Sequence, residues 1–101
     1  MGQGTPLFRA SLGAVLRAER MRQGMTLREL SSTARVSLGY ISEIERGQKE
    51  ASSELLASLC SALEAPLSEV LREVSVAVAV EEAATAPTPI TTRRPVVASA
   101  A

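Results

Sequence analysis

LRELSSTARVSLGYISEIER, residues 27–46, is the stretch that decides the fold of this chain. Just ahead of it, Thr26 and Glu29 stand in the T-x-x-E order of a capping box, in which each side chain satisfies a main-chain N–H of the other. A short helix therefore opens at Leu27, with Leu27, Leu30 and Ala34 on its inner face. Arg35 to Ser37 break the helical spacing. Val36 fills the turn, and the Ser37 hydroxyl is placed to accept an otherwise unpaired N–H at the start of a second short helix. That second helix covers about residues 37–46, turns Ile41 and Ile44 inward and ends at Gly47. Leu38, Gly39, Ser42, Glu43 and Arg46 remain on its outer side.

Two readings fit this pattern: an ordinary helical hairpin in an all-α domain, and a helix-turn-helix whose second helix enters the major groove of DNA. The outer face favours the second. A merely solvated helix carries long charged residues throughout, whereas Ser37, Gly39 and Ser42 are small and permit close approach to base edges. On that geometry Gly39 lets the backbone come near, Glu43 can accept from the exocyclic amine of cytosine, and Leu38 can touch a thymine methyl, at ~1–3 kcal/mol of discrimination for each good contact. Arg28, Tyr40, Arg46, Gln48 and Lys49 read as phosphate contacts, which set register. Glu45 falls among the inward positions beside Ile41 and Ile44. A buried carboxylate needs a partner, and Arg20, on the face shared with Leu16, is the candidate for a structural ion pair.

Composition narrows the function further. The chain has 101 residues, a size that suits one small domain and a tail. A core of that size is marginal, and dimer formation is a natural supplement. Without His or Asp, its Glu and Ser residues have no partner for acid/base or nucleophilic work, so no catalytic residue is expected. The lone Cys60 offers neither a disulfide within the chain nor zinc-ligand spacing, and it falls in the apolar pattern of LLASLCSAL as a small buried hydrophobe. No metal or cofactor is expected. No run approaches the ~20 apolar residues of a membrane span, and MGQGTPLFRAS lacks the layout of a secretory signal. The expected setting is the cytoplasm. The net charge of zero conceals an asymmetry: residues 1–50 hold eight Arg or Lys against five Glu, and residues 51–101 hold three Arg against six Glu. The positive excess lies in the half that holds the reading helix, as a polyanion-binding module requires.

Outward from the central stretch, three more helices are expected. The first runs from about Arg9 or Ala10 to Gln23, with Leu12, Leu16 and Met21 along one face and Val15 nearby, and ends at Gly24. The fourth starts from Ser52 or Ser53 and carries Leu55, Leu56, Leu59, Cys60 and Leu63. The fifth has Pro66 in its first turn, followed by Leu67, Val70, Leu71, Val74 and Val78. VSVAVAV, residues 74–80, alternates as a strand would, yet it continues the stripe of the fifth helix without a turn signal, and helix is the expectation. The expected layout is a flexible segment 1–8, a helix-turn-helix domain 9–72, a helical extension 73–83 and a disordered Ala/Thr/Pro-rich tail 84–101. Homodimer contact is expected through Val70, Leu71, Val74 and Val78.

LRELSSTARVSLGYISEIERGQKEASSELLASLCSAL resembles the large family of phage-repressor-like (Xre/Cro-type) helix-turn-helix regulators, over about residues 10–72. More narrowly, ARVSLGYISEIERGQKE with SSELL and C-x-AL is similar to the Clp gene regulators of actinobacteria. The resemblance implies a five-helix fold and a cytoplasmic homodimeric activator of Clp protease genes, with a DNA operator and RNA polymerase as partners. Carried over by position, it implies base reading at Ser37, Leu38, Gly39 and Glu43, backbone contacts at Arg28, Tyr40 and Gln48–Lys49, and the Arg20–Glu45 pair. A phage-type or antitoxin-like repressor, or an interaction module working through the Val-rich segment, are the alternatives. Arg35 departs from the family, which usually has Gly there. Either the turn differs, or Arg35 bears a left-handed conformation costing roughly 1–2 kcal/mol and recovers it through a phosphate. Ala51 replaces a common Pro. The final VASAA resembles tags recognised by Clp-type proteases, which makes Ala100 and Ala101 an expected degradation signal, with a chance Ala-rich end as the alternative.

Overall fold

The computed structural model describes residues 7–85 of the chain. Among the described residues there are five helices: α1 (Leu7–Arg22), α2 (Leu27–Ala34), α3 (Leu38–Glu45), α4 (Ser53–Ala62) and α5 (Leu67–Thr85). α1 packs on both α3 and α5, α2 on α3 and α4, and α4 on α5. Their inner faces meet in one core centred on Leu16, Leu30, Ile41, Ile44, Leu59, Leu63 and Val70. Cys60 lies in it, its thiol pushed up from the usual range by burial and then by the charge of Glu19.

The helix starts follow the caps expected of them. Thr26 and Glu29 form the complete capping box, with N–H···O distances of 2.8 and 3.0 Å. Ser37 Oγ accepts from Tyr40 N, and Ser52 Oγ from Leu55 N, both at 3.1 Å. Pro66 stands just before α5, not within it, and its carbonyl accepts from Glu69 and Val70.

The ends of α1, α2, α3 and α4 share a single device. Gly24, Arg35, Gly47 and Glu64 adopt φ of 71°, 61°, 75° and 55°. In each case the next residue's N–H reaches back five positions to a helix carbonyl: Met25 to Arg20, Val36 to Ser31, Gln48 to Glu43 and Ala65 to Cys60. This is the Schellman arrangement, for which glycine is the low-strain residue. The turn after α2 therefore keeps the left-handed geometry, with Arg35 carrying it. Glu64 does the same without having been singled out by its sequence context. Glu64→Gly is expected to raise stability by about 1 kcal/mol, the relief of a left-handed side chain less the extra freedom of glycine when unfolded. A rise in the urea midpoint at unchanged slope checks it.

Several boundaries and one core position differ from expectation. α1 begins at Leu7, so Leu7 and Phe8 belong to the helix and not to a flexible segment. Residues 74–80 are helical throughout, and α5 continues to Thr85, taking in the first two residues assigned to the tail. The rest of that tail, with Ala100 and Ala101, lies outside the described residues. Met21 is 55 % exposed. It stands five residues beyond Leu16, about 140° further round the helix, and the inward place goes to Arg20.

Candidate nucleic-acid interface

α3 is held from behind by three kinds of contact. Ile41 and Ile44 are fully buried in the core. Glu45 forms a two-pronged ion pair with Arg20, whose Nε donates to Oε2 at 2.8 Å and Nη2 to Oε1 at 2.9 Å. The remaining terminal nitrogen of Arg20 donates to the Met25 carbonyl at 2.9 Å, at the turn into α2. The two side chains are only 10 % and 6 % exposed, and the hydrogen bond to Glu45 is the main reason the Arg20 guanidinium holds its proton more firmly than usual. The pair fixes α1 against the end of α3, as the sequence led one to expect, and the added bond to Met25 brings in the entry to α2.

The third contact was not legible beforehand. Gly13, in the middle of α1, lies directly on the last carbonyls of α3. A β-carbon there would stand 2.6 Å from the Glu45 carbonyl oxygen and nearer still to that of Ile44. Glycine inside a helix costs roughly 0.5–1 kcal/mol relative to alanine, and that unexplained cost was the available signal. Gly47 is tight as well, since a β-carbon would meet the Ala10 main chain at 3.0 Å.

The outer side of α3 is open. Nothing lies within 4 Å of the place a β-carbon would take on Gly39, so the fold itself has no need of glycine there. Ser37, Gly39 and Arg46 are exposed, and Leu38, Ser42 and Glu43 half-buried. Arg46 Nη1 donates to Ser42 Oγ at 2.6 Å and Nη2 approaches Gln48 Oε1 at 3.5 Å, which draws Arg46 and Gln48 along one edge. Lys49 Nζ stands 3.9 Å from Glu43 Oε1. The base-reading candidate and a phosphate-contact candidate thus face each other, a pairing whose partly exposed setting makes it cheap to exchange. Arg28 is exposed in the first turn of α2.

Tyr40 also has a partner within the domain. Its ring packs against the core and its hydroxyl donates to the Glu50 carbonyl at 3.0 Å. The hydroxyl has one proton to donate, so a phosphate contact would take the place of this exposed bond. That bond fastens to α3 the loop that carries Gln48 and Lys49. The dimer residues also divide. Val70 and Val74 are each 2 % exposed, buried in the core of their own chain. Val78 is half-buried, and Leu71 is exposed together with Leu67. At 100° per residue, Leu67, Leu71 and Val78 share one flank of α5, and Val76 with Val80 occupies the other.

Among the described residues, no group of side chains is suited to hold a metal ion, and no helix is long and apolar enough to cross a membrane.

Comparison with known proteins agrees with this arrangement. A family model described as a helix-turn-helix domain matches residues 11–73. The transcriptional regulator ClgR of Mycobacterium tuberculosis is 57 % identical over 83 residues, covering 82 % of this chain and 74 % of the relative. The crystal structure of the clp gene regulator ClgR from Corynebacterium glutamicum superposes with a TM-score of 0.72 at 54 % identity, covering 75 % of this chain and 81 % of that one. The restriction-modification controller protein C.AhdI of Aeromonas hydrophila follows at a TM-score of 0.59 and 26 % identity, over 60 % and 92 % of the two chains. An all-helical domain with α3 locked from behind and open in front, matched along most of its length by regulators of this kind, belongs to the Xre-like helix-turn-helix family of DNA-binding transcription regulators and, within it, to the ClgR group.

Proposed function

We propose that this chain activates clp protease genes by binding a near-palindromic operator as a homodimer, with α3 of each copy in the major groove and RNA polymerase as the partner that activation requires. Likeness to the clp gene regulators supports the choice of target genes. The observation that carries the DNA reading is α3 itself, small and open at Gly39 while fixed from behind at Gly13, Ile41, Ile44 and Glu45. A reading helix that cannot shift on its own domain presents its side chains at fixed positions along the groove. Ser37, Leu38, Gly39 and Glu43 are the base-facing set. Leu38 meets a thymine methyl, and Glu43 accepts from a cytosine amine once Lys49 has turned to a phosphate. Arg28, Arg46, Gln48 and Lys49 set the register on the backbone. The second copy docks on the Leu67–Leu71 flank of α5, in place of the buried Val70 and Val74, and a two-fold dimer then sets the reading helices ~34 Å apart.

Selection of genomic fragments by the purified protein tests this. The enriched fragments should share an inverted repeat and lie upstream of protease genes. A shared site upstream of unrelated genes would remove the clp assignment, and fragments without a common sequence would remove the operator. Gly39→Ala gives the residue-level check. It should stabilise the protein by roughly 0.5–1 kcal/mol, because a helix prefers alanine, and weaken operator binding about tenfold, equivalent to ~1.4 kcal/mol, while binding to random duplex barely changes. Operator affinity equal to that of the unaltered protein would show that no base comes close at that position.

A further inference from the structure

We infer that α1 carries a second DNA-backbone contact, in which Arg9 and Arg17 bind phosphates beside the groove that α3 enters. The inference rests on the placement of α3 proposed above. Arg9, Gly13 and Arg17 follow one another at intervals of four, so they form a single row along α1. The middle member of that row touches the main chain of Ile44 and Glu45. One turn earlier, the Ala10 main chain lies against Gly47. The first half of α1 therefore runs beside the end of α3 and the loop of Gln48 and Lys49, with one arginine a helical turn to either side of the contact.

These two cations are uncommitted. Arg20 is spent on Glu45, and Arg22 on Glu19 with Glu73 at 3.9 Å. Among the described residues, neither Arg9 nor Arg17 has a carboxylate partner. The carboxylates of α3 itself are engaged, Glu43 with Lys49 and Glu45 with Arg20. Arg17 is exposed and Arg9 half-buried. Two long side chains with fixed positive charge, at the rim of a DNA-reading surface and without an acidic neighbour to satisfy them, suit phosphate oxygens, for which the guanidinium fork is well shaped. The competing explanation is internal: cations near the carbonyl end of α3 favour its dipole. That role contributes to folding and is indifferent to DNA.

The test compares the unaltered protein with Arg9→Gln/Arg17→Gln and Arg9→Lys/Arg17→Lys, on a selected operator fragment and on a random duplex, across a salt series. The glutamine pair should weaken both DNAs by the same factor and flatten the slope of log affinity against log salt by about 1 per arginine. The lysine pair should keep the slope. Thermal unfolding of each variant separates this from loss of structure. A glutamine pair with an unchanged slope, or one that loses thermal stability but not affinity, overturns the inference while the α3 reading stands. If the unaltered protein shows no salt-dependent binding to either DNA, the placement of α3 fails first.

Discussion

Replacing Glu45 with alanine should cost about 3–5 kcal/mol of folding free energy, because it leaves the Arg20 guanidinium buried with two donors unmet. A domain of this size has a total stability of roughly 5–15 kcal/mol, so the variant sits near the edge of folding at physiological temperature. Urea unfolding followed by helical circular dichroism measures the loss directly. A loss below about 1 kcal/mol, the range of an exposed pair, would mean that water reaches Arg20. The double variant Arg20→Met/Glu45→Leu separates the pair's stability from its effect on α3. Apolar replacement of a buried ion pair is often neutral in stability, so this variant should fold well. It nevertheless lacks the two parallel hydrogen bonds that set the angle of α1 against α3 and the third that ties α1 to the Met25 carbonyl. Operator affinity should then fall in a protein of near-normal stability, an outcome that a purely energetic role for the pair does not produce.

The features that could be read from the chain are those set by a few neighbouring residues. Thr26 with Glu29, Ser37 and Ser52 act within one helical turn, and each caps where its spacing required. The Arg20–Glu45 pair was legible across 25 positions because a lone carboxylate on an apolar face has so few solutions. What escaped depends on where whole helices cross. An apolar stripe marks a buried face without saying what buries it, and so Val70 and Val74 suited a partner copy as well as their own core. Met21 looked like core because the stripe was extended one residue past the point where Arg20 takes the inward place. Tyr40 is amphipathic, and only the path of the loop shows that its hydroxyl meets the Glu50 carbonyl.

Gly13→Ala isolates the crossing itself. Alanine is the better helix former, and in an open α1 the change would stabilise by roughly 0.5–1 kcal/mol. Here the added methyl group meets main-chain oxygens of Ile44 and Glu45, which cannot rotate away as a side chain would. Either α1 lifts from α3 or the last turn of α3 deforms, and overpacking of this kind costs about 3 kcal/mol at the upper end of its usual range. Lifting α1 also strains the Arg20–Glu45 contact a few residues along and the tight approach of Ala10 to Gly47. Stability and operator affinity should therefore fall together, and Gly13→Val should be worse than Gly13→Ala. Since Gly13 is buried beneath α3, it touches no DNA in the proposed complex, and any loss of affinity beyond the unfolded fraction must come from displacement of the reading helix. Retained stability in Gly13→Ala would show that α1 and α3 yield to one another freely, and a helix so loosely held could not keep Leu38 and Glu43 in register with the bases.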